Sequence, residues 1–554
     1  MMTDEYGMSI IDSLKLDNGF SYWSISGANE SCLVRNPKLI DLIKVIALEE
    51  ILIELSPKEL CTDINDINLL DELSKICNKL EINFKYSRKK NINYKLKNNF
   101  ISWLKASFRF ITFFIEAIKI QSFNFVRKHK KESYGRSVLL VSYSDNYNLK
   151  STSMHQTNYW QGIPEILEKE FDSIKWLHIH DKNTSGSKLS FCRFLETLEN
   201  NENNNKSAFV SLDQFLSIGL ILSALLDYLR FQKRFIKVEK IIEKNQPDQS
   251  INLWPFLNEA WTGSTKSGTA ISLFVYMRLF EKFSKSCDEE TIIFLFEGMP
   301  WEHIFIHSMR NNPKSKLFAY QHASIKSSDM RVISFRDNIN SAEPFKAVDK
   351  ILVNGLASMK RLVEMGFRES NLKPVEATRF NYLDNHNRYE AKKREATRVL
   401  ILLEGIERID RYMLKVIDKS EDSLIEKGDI SVTIKPHPNG VVDVGEFIKS
   451  RSNRSIWKES KESLELALKS TDHVIASINS SACIEAYSLG IPLSFIWKKD
   501  ELIRSSVPIN DWSNIISSSD ELKDIVGDVK IVSRENDLMF INLKNELWEA
   551  LLKE

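Results

Sequence analysis

The chain has 554 residues, 43% of them hydrophobic and 27% charged, with 76 Lys and Arg against 75 Asp and Glu. That composition is globular, and a formal net charge of +1 excludes a dedicated nucleic-acid binder, whose domain would carry a basic excess. The six cysteines (Cys32, Cys61, Cys77, Cys192, Cys287, Cys483) have no Cys-x-x-Cys spacing, which argues against a zinc site or disulfide framework and for a reducing compartment.

Met1 to Asp17 is polar and acidic and lacks the basic-then-apolar succession of a secretory signal, so the expected location is the cytoplasm. The patterning predicts a helix over Pro37 to Leu55, a strand near Glu59 to Ile64, a helix over Ile67 to Leu80 and a strand near Ile82 to Tyr86, the alternation of a doubly wound sheet. From Tyr94 to Lys131 the pattern changes. Lys105, Arg109, Thr112, Glu116 and Lys119 recur at steps of three and four, and Trp103, Leu104, Phe108, Phe110, Ile111, Phe113, Phe114, Ile115 and Ile118 fill the rest. Basic clusters flank this helix, Arg88-Lys89-Lys90 before it and Arg127-Lys128-His129-Lys130-Lys131 after it. Such a helix suits an anionic membrane surface, or a buried position under the sheet with a solvated basic end; its charges oppose a full crossing. The apolar run Phe215 to Leu226, followed by Arg230, Lys233, Arg234, Lys237 and Lys240, allows the same two readings. These two stretches, near 95–131 and 210–245, are expected as helical insertions in the first domain.

Further strands are predicted at Ser137 to Tyr143, Ile174 to His180, Thr291 to Phe296, Leu317 to Tyr320 and Lys350 to Val353, with an asparagine-rich loop at Asn200 to Asn205. The polar segment from Val375 to Lys393 marks an interdomain connection, which sets a first domain at 1–376, a linker at 377–397 and a second domain at 398–554. Strands Val399 to Leu403, Ile430 to Ile434, His473 to Ile478 and Leu493 to Trp497 build the second domain, and a last helix over about Asn536 to Leu552 is expected to cross back to the first. The fold class is α/β, two doubly wound Rossmann-like domains facing a cleft, which is the GT-B arrangement.

Candidate functional residues fall at predicted strand ends. Lys435-Pro436-His437-Pro438 closes one strand, and its prolines turn the chain out of the sheet. Asn479-Ser480-Ser481 follows another and leads into a helix that carries Glu485 and ends at Gly490, with Asn479 or Ser480 as its natural N-cap. A helix N-terminus with two hydroxyls, beside Lys435 or His437, favours a phosphate. Each segment alone also reads as an ordinary turn or cap; in order on consecutive βα units they point to one anion site. In the first domain, Glu297-Gly298-Met299-Pro300-Trp301-Glu302 follows a strand, which makes Glu297 the first choice for a catalytic carboxylate, with Gly298 admitting a substrate to the backbone, Trp301 beside it and Glu302 able to hold an acceptor. The alternative is that Glu297 and Glu302 only complement a helix dipole. Gln321, His322 and Ser324 follow the next strand as donor or acceptor contacts, Arg331 and Arg336 are weaker candidates, and Glu404, before Gly405, is a competing carboxylate.

These motifs, in order, resemble the acidic-Gly, His-Pro and Ser-Ser motifs of bacterial sialyltransferases, polysialyltransferases and Kdo transferases. The segment Phe296 to Glu302 with Tyr320-Gln321-His322 also resembles surface carbohydrate biosynthesis proteins of the GT-B class. The resemblance implies a glycosyltransferase that moves a 2-keto sugar acid from a CMP donor to a bacterial surface glycan or glycolipid acceptor. Glu297 would be the base, His437 the acid or phosphate ligand, and Ser480 and Ser481 phosphate ligands, with Lys435, Pro438, Asn479 and Glu485 lining the nucleotide site. It further implies no metal and no cofactor beyond the nucleotide sugar, and a place at the inner face of the cytoplasmic membrane. The acidic motif here has a single carboxylate, a departure from that group. A UDP- or GDP-sugar transferase, a CDP-polyol phosphotransferase and a noncatalytic assembly scaffold are the other readings.

Overall fold

The computed structural model describes residues 9–33, 35–64, 66–86, 95–126, 135–144, 159–180, 187–201, 207–244, 251–310, 314–339, 347–384, 397–422, 430–438, 440–509, 514–525 and 538–554. The basic clusters at 88–90 and 127–131, the asparagine-rich loop from 202 on and the predicted connection over 385–396 lie outside them. The chain forms two compact units. One comprises Met1–Asn158, Leu167–Tyr320 and Met330–Ile351, the other Tyr159–Ile166, Gln321–Asp329 and Leu352–Glu554.

Two short strands, β1 (Glu59–Thr62) and β2 (Asn83–Tyr86), pair in parallel as a sheet of their own. The expectation that they belong to the doubly wound sheet is corrected: both are mostly exposed, and a central parallel strand is covered on both faces. The helices beside them are α1 (Lys38–Leu55) and α2 (Ile67–Lys79).

The larger sheet contains β3 (Ser137–Tyr143), β4 (Ser173–Ile179), β5 (Ser207–Ser211), β6 (Thr291–Leu295), β7 (Lys316–Gln321), β8 (Lys350–Val353) and β9 (Leu372–Pro374), in the order β5-β4-β3-β6-β7-β8-β9. Its β3–β4, β4–β5, β3–β6 and β6–β7 pairings are parallel. Val138 to Val141 are fully buried, because an uninterrupted apolar run can be covered by helices on both faces. The predicted insertions are α3 (Lys95–Val126) and α4 (Ile218–Lys244). A helix absent from the predictions, α5 (Gly268–Ser284), packs against both, and its buried residues run nearly all round from Ala270 to Phe283.

The second sheet contains β10 (Thr397–Leu402), β11 (Ile430–Lys435), β12 (Trp457–Glu459), β13 (His473–Ser477), β14 (Leu493–Ile496) and β15 (Ile515–Ile516), all parallel, in the order β12-β11-β10-β13-β14-β15. Both sheets therefore wind the same way. The chain starts in the middle, steps to one edge and returns to the other side, and the reversal leaves one switch point per sheet, between β3 and β6 and between β10 and β13.

Part of the predicted connection belongs to the second unit, since Ala377, Phe380 and Leu383 are buried in its core with Leu400, Leu402 and Tyr487. The final helix spans Glu546–Lys553 and not 536–552, and Asn545 before it adopts φ +54° and gives no side-chain cap. Glu376 supplies the missing acceptors: its carboxylate takes the Leu547 N–H at 2.7 Å and the Trp548 N–H at 3.0 Å, and its carbonyl takes the Trp548 indole N–H at 3.0 Å. Both residues are buried. Trp548→Ala should cost about 3–5 kcal/mol through the cavity and the lost bond, read as a lower urea midpoint for the full chain.

Candidate active site

In the first unit the site is built on the end of β6. Phe296 still donates its N–H to the Tyr320 carbonyl at 2.8 Å, and the chain then leaves the sheet through Glu297 and Gly298. Gly298 has φ +73°, and a Cβ there would lie 2.3 Å from the Arg331 carbonyl oxygen, so two constraints demand glycine. The next helix, α6 (Pro300–Met309), starts on a proline, whose fixed φ suits a first turn. From that turn the Glu302 carboxylate reaches back and accepts the N–H groups of Glu297 at 2.9 Å and Gly298 at 3.1 Å. Burial pushes Glu302 up to about 8; its backbone donors pull the other way, and the Glu297 charge adds to the rise. Arg35 holds the far side of the turn, donating to the Gly298 carbonyl at 2.5 Å while paired with Glu30 at 2.7 Å.

Glu297 itself is half-buried. Across the switch point, the Tyr143 phenol at the end of β3 is held well above its usual range by burial and by the Glu297 and Glu302 charges, and it accepts the Trp301 indole N–H at 2.6 Å. Two expectations are corrected here. Glu302 has both oxygens committed to backbone donors in a fully buried setting, so it does not present itself to an acceptor. Trp301 is a core residue, buried among Phe280, Phe294 and Phe305. Arg336 lies on the surface beside Asp337.

In the second unit three strand ends converge, those of β10, β11 and β13. After β10, Glu404 and Gly405 form a second turn of the same kind: Gly405 has φ +86°, and Asp410, in the first turn of α7 (Glu407–Asp418), accepts the Glu404 N–H at 2.7 Å and the Gly405 N–H at 3.0 Å. Burial raises the Asp410 pKa. The His437 ring, presented after β11, packs on Gly405, where a Cβ would stand 2.5 Å from Nδ1. Across the switch point the Ser477 hydroxyl donates to Glu404 at 2.5 Å and accepts the Asn479 N–H at 3.3 Å. The Lys326 ammonium, from the Gln321–Asp329 segment of the same unit, donates to the Asn479 carbonyl at 2.5 Å.

The expected cap is corrected. The helix α8 (Cys483–Leu489) has Ala482 at its N-cap position, with no side-chain cap bond. Asn479 serves a loop instead, with its amide donating to the Leu502 carbonyl at 3.2 Å and accepting the Arg504 N–H at 2.6 Å. Ser480 is buried and Ser481 exposed, and neither hydroxyl has a hydrogen-bond partner among the described residues. Lys435 donates to the Glu462 carbonyl, Pro438 is exposed, and Glu485 accepts the Tyr382 hydroxyl with its pKa raised by burial. Gln321 is buried with both amide atoms unpartnered among the described residues; His322 meets Tyr159 edge-on at 4.6 Å, and Ser324 is buried. Sequence reasoning missed Tyr143, Arg35, Asp410, Ser477, Lys326 and Tyr382. For Asp410 a signal was present, a carboxylate five residues after Glu404-Gly405, as Glu302 stands four after Glu297-Gly298.

Glu302 gives a pH test. Its folded-state pKa of about 8 lies above the usual carboxylate value of about 4.3, so the native state holds a proton that the unfolded chain has released between those limits. Stability is therefore greatest at the acidic end of that window and falls by about 1.4 kcal/mol per pH unit as pH rises towards 8. Glu302→Gln should remove that slope in urea unfolding measured from pH 5 to 8.

No protein-family model matches the chain, and no curated protein matches it significantly. Among solved structures it is similar to UDP-GlcNAc 2-epimerase from Methanocaldococcus jannaschii in complex with UDP-GlcNAc and UDP, at 13% identity and a TM-score of 0.39 over 75% of this chain and 98% of that one. It is also similar to the lipopolysaccharide outer core galactosyltransferase WaaB, at 10% identity and a TM-score of 0.36 over 76% and 100% of the two chains. A third is TarM, at 10% identity and a TM-score of 0.37 over 71% and 91%. Similarity at this level carries no argument about function, which rests on the site.

Proposed function

We propose that the chain is a glycosyltransferase of the GT-B kind that binds a nucleoside-diphosphate sugar at the β10/β13 switch point of the second unit. The observation that carries the reading is an unbroken series of contacts over three strand ends: His437 on Gly405, Glu404 with Ser477, Ser477 with Asn479, and Asn479 with Lys326. Open α/β sheets bind ligands at such a point. The series brings an imidazole and an ammonium to a loop whose next two residues, Ser480 and Ser481, offer hydroxyls. Two separated nitrogen donors suit two phosphates better than one, which favours a UDP- or GDP-sugar over a CMP-ulosonate. His437 would donate to the leaving phosphate, the two serines would hold it, and Glu485, fixed by Tyr382, would accept from the ribose.

In this reading Glu297 takes the proton from the acceptor hydroxyl. Glu302, neutral below about 8, adds no second negative charge beside Glu297 at neutral pH, and Glu404 is the weaker candidate because it belongs to the unit assigned to the donor. Nucleotide release from UDP-, GDP- and CMP-sugars and from CDP-glycerol separates the donors. Turnover of a UDP- or GDP-sugar is expected; turnover of a CMP-ulosonate alone would restore the sugar-acid reading, and of CDP-glycerol alone would remove sugar transfer. Glu297→Gln should lower kcat by roughly 10²- to 10⁴-fold with nucleotide affinity unchanged. The pair Ser480→Ala with Ser481→Ala should weaken nucleotide binding about tenfold, the loss of charge-assisted hydrogen bonds. Unchanged glycan output in both variants would favour a noncatalytic scaffold.

A further inference from the structure

The helices α3 and α4 of the first unit carry apolar surface that the fold leaves uncovered. Helix α3 buries Ala106, Phe113, Ala117 and Ile120 on one side. On the other side Ile101, Leu104, Phe108, Ile111, Ile115, Ile118 and Phe125 are exposed, Phe108 at 73% and Phe125 at 93%. Their steps of three and four residues put them on one stripe along the helix. Helix α4 repeats the design, with Ile221, Ala224, Phe231, Phe235 and Val238 buried and Leu222, Leu226, Leu229 and Ile236 exposed in a second stripe. The helices pack on each other, and the end of α3 is pinned to the start of α4: Gln121 accepts the Ile218 N–H at 3.3 Å, and Asn124 donates to the Gln214 carbonyl at 2.7 Å. Two adjoining stripes of this size are an interaction surface.

Charge indicates the occupant. Among the described residues of α3 and α4 the exposed charged side chains are the seven cations Lys105, Lys119, Arg230, Lys233, Arg234, Lys237 and Lys240 and one anion, Glu243 at the end of α4. The other acidic groups are withdrawn, Asp227 buried against Arg278 at 2.6 Å and Glu239 paired with Lys266 at 2.7 Å, with Glu116 partly buried. In a chain of net charge +1 this concentration is local. No helix among the described residues is long and apolar enough to cross a membrane. We infer that the α3–α4 face lies on an anionic lipid surface, its stripes seated at the headgroup and acyl boundary and its cations among the headgroups. The inference is independent of the donor site.

The test is flotation of the full chain with vesicles of phosphatidylcholine alone and of phosphatidylcholine mixed with phosphatidylglycerol, alongside light scattering to give the oligomeric state. The wild type should float with the anionic vesicles at least tenfold more strongly, with the difference shrinking as salt is raised. Phe108→Glu with Ile115→Glu should reduce binding tenfold or more at an unchanged melting temperature, since both residues are exposed. Lys233→Glu with Lys240→Glu should weaken anionic binding by about fivefold per cation removed. The inference is overturned if the wild type floats with neither vesicle. It is equally overturned if the chain is a dimer that Phe108→Glu splits without changing vesicle binding, which would assign the face to a second copy.

Discussion

A strand that leaves a parallel sheet through a Glu-Gly turn exposes two amide groups that the ladder no longer pairs. Each, if buried and unmet, costs about 1–3 kcal/mol. The chain solves this twice with one device, a carboxylate from the first turn of the following helix accepting both N–H groups: Glu302 on Glu297-Gly298, and Asp410 on Glu404-Gly405. The helix is thereby tied to the strand end at a fixed angle. The glutamate of the turn is released from capping, so its carboxylate is available for other partners. Everything assigned to either site depends on that release, because a Glu297 or Glu404 consumed by its own helix would have no chemistry to offer.

The two turns stand beside the switch point of their sheets, and in each case the strand across the switch supplies a hydroxyl. In the first unit this is Tyr143, in the second Ser477. What differs is where the hydroxyl goes. Ser477 donates directly to Glu404, which fixes that carboxylate as part of a hydrogen-bonded loop reaching Asn479 and Lys326. Tyr143 accepts from the Trp301 indole and stays a neutral phenol beside Glu297. One motif thus yields two environments, a carboxylate bonded to the hydroxyl across the switch in the second unit and a half-buried one beside a neutral phenol and the buried Glu302 in the first. The difference follows from the residue across the switch.

Much of this was legible in the sequence. The strands of the second sheet that carry the site were predicted within a residue or two, because continuous or alternating apolar runs between turn signals have few other solutions. His437, Glu404 and the serine pair fall at strand ends as expected. What failed had physical reasons. The cap assigned to Asn479 went elsewhere because its side chain found two backbone groups in the 502–504 loop, a contact distant in sequence. Helix α5 was missed because burial on nearly every side erases amphipathic periodicity. Tyr143, Arg35 and Lys326 act at the site through contacts with residues more than a hundred positions away, which spacing cannot reveal.

Helix α3 is the instructive case, because its periodicity was right and left its buried face open. Of the polar stripe Lys105, Arg109, Thr112, Glu116 and Lys119, the two lysines are exposed. Arg109 instead turns inward, donating to Ser272 of α5 at 3.0 Å and lying over the Phe113 ring at 4.7 Å, while Phe108, Ile111 and Ile115 face out. A helix with apolar residues on most of its circumference can satisfy the core with either of two faces, and the pattern alone does not choose. The buried face combines the small Ala106 and Ala117 with Phe113 and Ile120, and the exposed face carries Phe108, Ile111 and Ile115. Large apolar side chains outside reverse the usual order for a water-facing helix. Such a surface is stable only with something apolar against it, and the cations around the two stripes restrict what that is.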